Sequence, residues 1–162
     1  MLAYAAVTNL QAAGKTVATA ESCTGGLIAA ALTEVAGASQ AFRYGWVTYS
    51  NEAKIQQLHV PAELIEQHTV VSEPVVAAMA ENALRLGHAD FAIAVSGNAG
   101  PTAAPGEPLV GTVCIALACK AADKETFTET IIRPGLDRTQ FRQMVTARVL
   151  RMIADAATEA SH

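Results

Sequence analysis

T-V-A-T-A-E-S-C-T-G-G, from Thr16 to Gly26, begins with small and β-branched residues suited to a buried strand and closes on Ser22, Cys23, Thr24 and two glycines. Leu27, Ile28, Ala31, Leu32 and Val35 follow at helical spacing, with Gly37 as a C-terminal stop. A strand that runs through a tight turn into a helix lifts Ser22 to the end of a strand. Gly25 and Gly26 allow close approach of the backbone, and the first N–H groups of a helix lack internal partners. One corner therefore offers a hydroxyl nucleophile together with N–H groups around Thr24, Gly25 and Gly26 for an oxyanion or other anion. The stretch matches neither G-x-S-x-G nor the phosphate loop ending in G-K-[ST], and a serine before two glycines also serves as an ordinary helix cap. The chemistry needs support from elsewhere in the chain.

A length of 162 residues suits one domain over 1–162 with a single buried core. Hydrophobic residues make up 51% and charged residues 16%, which excludes a disordered chain. A net charge of −4 without any Lys/Arg cluster argues against nucleic acid as a partner. No apolar run reaches the roughly 18 residues of a membrane span, and the start M-L-A-Y-A-A-V-T-N-L has no positive leader. A cytoplasmic protein away from the membrane is expected. Cys23, Cys114 and Cys119 form an odd set without C-x-x-C, which fits a reducing compartment and offers no zinc site, so no metal is expected. Cys114 and Cys119 read as core residues, whereas Cys23, beside Ser22, is a rival nucleophile.

Working outward, residues 2–13 carry helical spacing that stops at Gly14. Tyr44–Tyr49 reads as a strand, Asn51 as the cap of a short helix to Leu58, and Pro61 as the start of another. Ser72 caps a longer helix to Leu86, with Val75, Val76, Met79, Ala80, Ala83 and Leu84 as its buried stripe. Phe91–Val95 and Gly111–Ala118 are continuous apolar runs typical of buried strands, and Glu125–Ile132 reads as a charged edge strand. Between them Ser96–Gly111 reads as one long loop, a length that usually signals function. Asp137 with Gln140 resembles a capping box opening the last helix. Helices before, between and after strands imply a three-layer α/β/α domain with a mixed β-sheet. Ligands of such sheets sit at strand ends, where Ser22, Tyr49 and Ser96 fall.

In V-T-Y-S-N-E-A-K, Tyr49 ends a strand and Lys54 lies in the first turn of the next helix. The positive end of the helix dipole disfavours a cation there by a few tenths to about 1 kcal/mol, and burial acts in the same direction. A neutral lysine is the base a serine nucleophile needs, and a neighbouring tyrosine can relay the proton. The ordinary alternative is an exposed lysine beside a packed tyrosine. Ser96 and Asn98 are candidates to line the pocket, and Arg43 and Arg133 are the candidate phosphate cations. His59 and His68 could serve Cys23 in a Cys–His mechanism but read as surface groups.

The segments A-T-A-E-S-C-T-G-G-L-I-A-A-A-L-T, G-W-V-T-Y-S-N-E-A-K, H-T-V-V-S-E-P-V and the A-G-P loop leading to V-G-T-V resemble the CinA carboxy-terminal domain family. They occur in that order over about residues 5–155, and within the family they are similar to the single-domain nicotinamide-nucleotide amidases. The resemblance implies hydrolysis of the carboxamide of nicotinamide mononucleotide to nicotinic acid mononucleotide and ammonia, in pyridine-nucleotide recycling. It makes Ser22 the nucleophile and completes the catalytic set with Tyr49 and Lys54, with no cofactor. The partner it implies is a small-molecule pyridine nucleotide, and so small a domain leaves room for a homo-oligomer. Relatives carry T-G-I-A-G-P, a glycine-rich run and a K-P-V-G-T-V-like segment. Here Thr102, Ala103 and Ala104 stand where glycines are usual, and Glu107 stands near the basic position. That loop is a poorer phosphate cradle. A nucleotide-binding homologue without hydrolysis, or an amidase for another small amide, are the competing readings.

Overall fold

The computed structural model describes residues 1–161. Its strands are β1 (Val17–Glu21), β2 (Phe42–Val47), β3 (Phe91–Asn98), β4 (Thr112–Cys119) and β5 (Phe127–Ile132), joined in one sheet of order β2-β1-β3-β4-β5. β1 pairs parallel with both β2 and β3, whereas β3–β4 and β4–β5 are antiparallel, so the sheet is mixed as expected. Six helices cover it: α1 (Leu2–Ala13), α2 (Leu27–Thr33), α3 (Asn51–Leu58), α4 (Ala62–His68), α5 (Glu73–Leu86) and α6 (Arg138–Glu159).

The period of two along the strands sorts the core into two faces. Val17, Ile93, Val95, Val113 and Ile115 pack with α1, α2 and α6 around the fully buried Phe141. Ala18, Ala20, Ala92, Ala94, Ala116 and Ala118 face the opposite side, where α5 lays Val75, Val76, Met79, Ala80 and Ala83. Alanine on that face lets α5 lie close to the sheet, and burial of each larger α5 residue contributes on the order of 1.5–3 kcal/mol. Among the described residues no helix is long and apolar enough to cross a membrane.

Several boundaries differ from the sequence reading, some for a local reason and one because a partner strand extends the pairing. α2 stops at Thr33, where the Thr33 hydroxyl bonds the Ala29 and Ala30 carbonyls, so Gly37 opens a separate 3-10 turn instead of ending the helix. β2 spans Phe42–Val47, and Tyr49 lies beyond it. The cap of α3 is Ser50, whose hydroxyl accepts from the Ala53 N–H at 3.0 Å, with Asn51 as its first helical residue. Ser72 holds the N-cap position of α5, yet its hydroxyl donates back to the Thr69 carbonyl at 2.8 Å. β3 continues through Ser96, Gly97 and Asn98, which pair with Cys114, Val113 and Thr112. The irregular loop therefore begins only at Ala99. The capping box of α6 is present in both directions, Asp137 Oδ1 with the Gln140 N–H and Gln140 Oε1 with the Asp137 N–H.

Candidate active site

Glu21, the last residue of β1, turns its carboxylate back under the turn. It is 1% exposed, and its Oε1 accepts from Thr24 Oγ1 at 2.7 Å and from the N–H groups of Gly26 and Ile28 at 3.2 and 3.0 Å. Its Oε2 accepts from the Ala29 N–H at 3.0 Å. A buried carboxylate thus takes the free N–H groups that open α2 and complements the positive end of its dipole. This narrows the expected anion site, removing the Gly25 and Gly26 N–H groups but leaving that of Thr24. The Gly26 N–H is held by Glu21, the Gly25 N–H closes the turn on the Ser22 carbonyl at 3.0 Å, and the Thr24 side chain is fully buried on the carboxylate. Among the described residues, the N–H groups of Cys23 and Thr24 have no acceptor outside their own residue and are the turn's remaining donors.

Lys54 reaches the same corner from α3. Its side chain is 1% exposed, and Nζ lies 3.0 Å from Ser22 Oγ and 2.7 Å from the Thr48 carbonyl oxygen. Two residues that are 32 apart in sequence meet because β2 lies beside β1 and Thr48 N–H extends that pairing to the Glu21 carbonyl at 2.9 Å. Burial pulls the Lys54 ammonium from 10.5 down to about 8, against a weaker upward pull from Cys23. A neutral amine held this way gives one N–H to Thr48 and leaves its lone pair for the Ser22 hydroxyl proton. Desolvation is the main cause of the depressed value.

Both groups open into a cleft of about 240 Å³ at the strand ends, lined also by Tyr49, Ser96, Asn98, Glu107 and Arg138. Tyr49 is 60% exposed at its rim, and its hydroxyl accepts from Arg138 Nη2 at 2.8 Å, so it bonds to neither Ser22 nor Lys54. Ser96 is buried and donates to the Val70 carbonyl at 2.9 Å. Asn98 binds the Pro108 carbonyl and the Gly100 N–H at 3.3 and 3.0 Å, which ties down the loop that follows. The Thr24 side chain is buried away from the cleft, and Gly25 and Gly26 do not line it. Cys23 does, but burial pushes its thiol up to about 12, so it is a poor nucleophile. His59 and His68 are exposed on α3 and α4 ends, and Arg43 and Arg133 are exposed elsewhere; none of the four lines the cleft.

Three residues of this region had no place in the sequence reading. Glu21 reads as a polar strand residue until its partners in the turn are known. Arg138 and Arg142, one turn apart at the start of α6, carry the cations near the site. Arg138 donates Nη1 to the Gly100 carbonyl at 2.8 Å, and Arg142 donates Nε and Nη2 to the Cys23 and Thr24 carbonyls at 3.0 Å each. The one available signal was their position: arginines at a helix N-terminus oppose the dipole and invite a search for a compensating partner.

Fold and site together define a class: a three-layer α/β protein with a serine–lysine pair buried at the ends of parallel strands. The CinA C-terminal domain model matches residues 1–157, and the chain belongs to that family. It is 46% identical over 144 residues to a protein of Shigella flexneri named nicotinamide-nucleotide amidohydrolase PncC, covering 89% of this chain and 86% of that one. It is 49% identical over 155 residues to a CinA-like protein of Akkermansia muciniphila, covering 96% of this chain but only 37% of that longer protein. A crystal structure of a competence-damaged protein (CinA) superfamily member from Klebsiella pneumoniae superposes with a TM-score of 0.91 at 34% identity, covering 98% of this chain and 96% of that one.

Proposed function

We propose that this protein is an amidohydrolase that cleaves the carboxamide of nicotinamide mononucleotide, giving nicotinic acid mononucleotide and ammonia for pyridine-nucleotide recycling. The observation that carries the proposal is the 3.0 Å approach of Lys54 Nζ to Ser22 Oγ in a buried setting. The name of the Shigella relative, matched over most of both chains, supports the substrate.

In the first step Lys54 takes the hydroxyl proton as Ser22 Oγ attacks the carboxamide carbon. The carbonyl oxygen becomes an oxyanion facing the N–H groups of Cys23 and Thr24. Lys54, now an ammonium, returns the proton to the departing nitrogen, so ammonia leaves and an ester to Ser22 remains. Water then attacks the ester, with Lys54 again as base, and Ser22 is regenerated. Because Lys54 touches Ser22 directly, the relay through Tyr49 is unnecessary. Tyr49 instead holds Arg138 at the rim, where a guanidinium suits the substrate phosphate. Arg138 thereby supplies the cation missing from the Thr102–Glu107 loop.

Ammonia release from nicotinamide mononucleotide by the purified protein, beside Ser22→Ala and Cys23→Ser, tests the proposal. Release by the wild type and by Cys23→Ser, with none from a folded Ser22→Ala, is the expected result. Equal release by Ser22→Ala would remove Ser22 from the mechanism. The Glu107 carboxylate in the cleft specifically favours one rival, an amide without a phosphate. Faster turnover of nicotinamide riboside than of the nucleotide would select it.

A further inference from the structure

The turn after Ser22 has three consecutive peptide groups, and each carbonyl is held from behind. The Ser22 carbonyl accepts from the Gly25 N–H at 3.0 Å. The Cys23 carbonyl accepts from Arg142 Nε, and the Thr24 carbonyl from Arg142 Nη2, both at 3.0 Å. A trans peptide is planar, with its C=O and N–H pointing opposite ways. Fixing the Ser22 carbonyl therefore aims the Cys23 N–H, and fixing the Cys23 carbonyl aims the Thr24 N–H. Among the described residues, these two N–H groups of the turn have no acceptor outside their own residue. A cation on the Cys23 carbonyl also draws charge along that peptide and strengthens the Thr24 N–H as a donor.

Other details agree with a shaped seat for this side chain. A Cβ on Gly25 would lie 3.2 Å from Arg142 Nη2, and Gly25 has a φ of +58, so a side chain there would crowd the guanidinium and strain the turn. Glu21 secures the other side of the same turn through Thr24 Oγ1 and the Gly26 N–H.

We propose that Arg142 is a positioning residue for the amidase reaction: its Cys23 arm orients and polarises the Thr24 N–H, and its Thr24 arm holds the Gly25 peptide whose N–H fixes the Ser22 carbonyl and so aims the Cys23 N–H, the two donors that receive the oxyanion. The inference rests on the Ser22–Lys54 amidase reading and adds to it a residue that touches neither substrate nor nucleophile. Lysine cannot reproduce the fork, because a single ammonium does not present two donors in a fixed plane. The loss should therefore appear in the transition state, where the oxygen is charged, and hardly in binding of the ground state.

The test uses Arg142→Lys and Arg142→Gln, with Arg148→Lys, whose parent side chain pairs with Glu129 on another face of α6, as a structural control. We expect kcat on nicotinamide mononucleotide to fall about 10–100-fold with KM within about threefold, below or at the loss from deleting one oxyanion donor. The thioamide analogue supplies the second readout, because sulfur is a weak acceptor and gains little from these N–H groups. The amide-to-thioamide ratio of kcat/KM should drop in both Arg142 variants and stay constant in Arg148→Lys. Should Arg142→Gln not fold, Arg142→Lys, which keeps the stem and charge, carries the comparison. An unchanged kcat, or equal losses on amide and thioamide, would overturn the assignment. A wild-type protein that releases no ammonia would instead overturn the amidase reading itself, and this inference with it.

Discussion

Lowering the pH protonates Lys54, the base of the proposed mechanism, and its burial sets where this happens. Lys54 is pulled from 10.5 to about 8 by burial. Its neutral fraction is then about a tenth at pH 7 and about nine tenths at pH 9, so kcat/KM should rise about tenfold across that interval and level off above it. An ordinary lysine at 10.5 would raise kcat/KM about a hundredfold between pH 7 and 9 and show no plateau. The phosphate of nicotinamide mononucleotide loses its second proton near pH 6, so it stays constant over the window and does not confuse the profile. The assay is initial-rate ammonia release from pH 7 to 9.5 at substrate concentrations well below KM. A slope of one on logarithmic axes persisting to pH 9.5 would refute a desolvated Lys54. A profile flat from pH 7 would refute a lysine base altogether.

The same burial has a cost in stability. The folded state holds Lys54 at about 8 while the unfolded chain holds it near 10.5, so the unfolded state binds more protons between these values. Stability contributed by this group therefore rises with pH from about 8 to 10.5, and below about 8 a penalty on the order of 3 kcal/mol is fully present. Lys54→Met should be inactive yet more stable by about 1–2 kcal/mol in urea at pH 7, after about 1–2 kcal/mol is lost at the unpaired Thr48 carbonyl. Urea titrations at pH 7 and 10 check this, and a less stable variant at pH 7 would contradict it. Glu21→Gln keeps the shape of the carboxylate but sets an NH₂ group against the Ala29 N–H or against the donors on Oε1. We expect a loss of about 2–3 kcal/mol, read as a fall in Tm of about 4–12 °C, and a change below about 2 °C would show that the carboxylate charge does not hold the turn.

Much of this molecule was legible along the chain because the signals are local. The Thr16–Gly26 stretch reads as strand, turn and helix from its own residues. The α5 stripe, the buried β3 and β4 and the Asp137–Gln140 box needed only periodicity and capping chemistry. Ser22 and Lys54 were legible as a pair through the S-C-T-G-G and V-T-Y-S-N-E-A-K motifs and the family they resemble. Some boundaries failed on local capping chemistry, at Thr33 and Ser50, and one failed because a long-range partner decided it. β3 runs on to Asn98 because β4 supplies hydrogen bonds as far as Thr112, and no property of S-G-N itself demands a strand.

By itself the sequence determined the order of elements, the three-layer class and the residue types available for chemistry, since these follow from side-chain volume, polarity and spacing. Only the tertiary structure decided what each polar group does, because hydrogen bonds and desolvation depend on neighbours that are distant along the chain. Glu21 fills the helix end that the turn would otherwise offer to a ligand. Tyr49 goes to the rim with Arg138. Lys54 loses its water, which favours its neutral amine, and Arg142 arrives from α6 to grip the turn that carries Ser22.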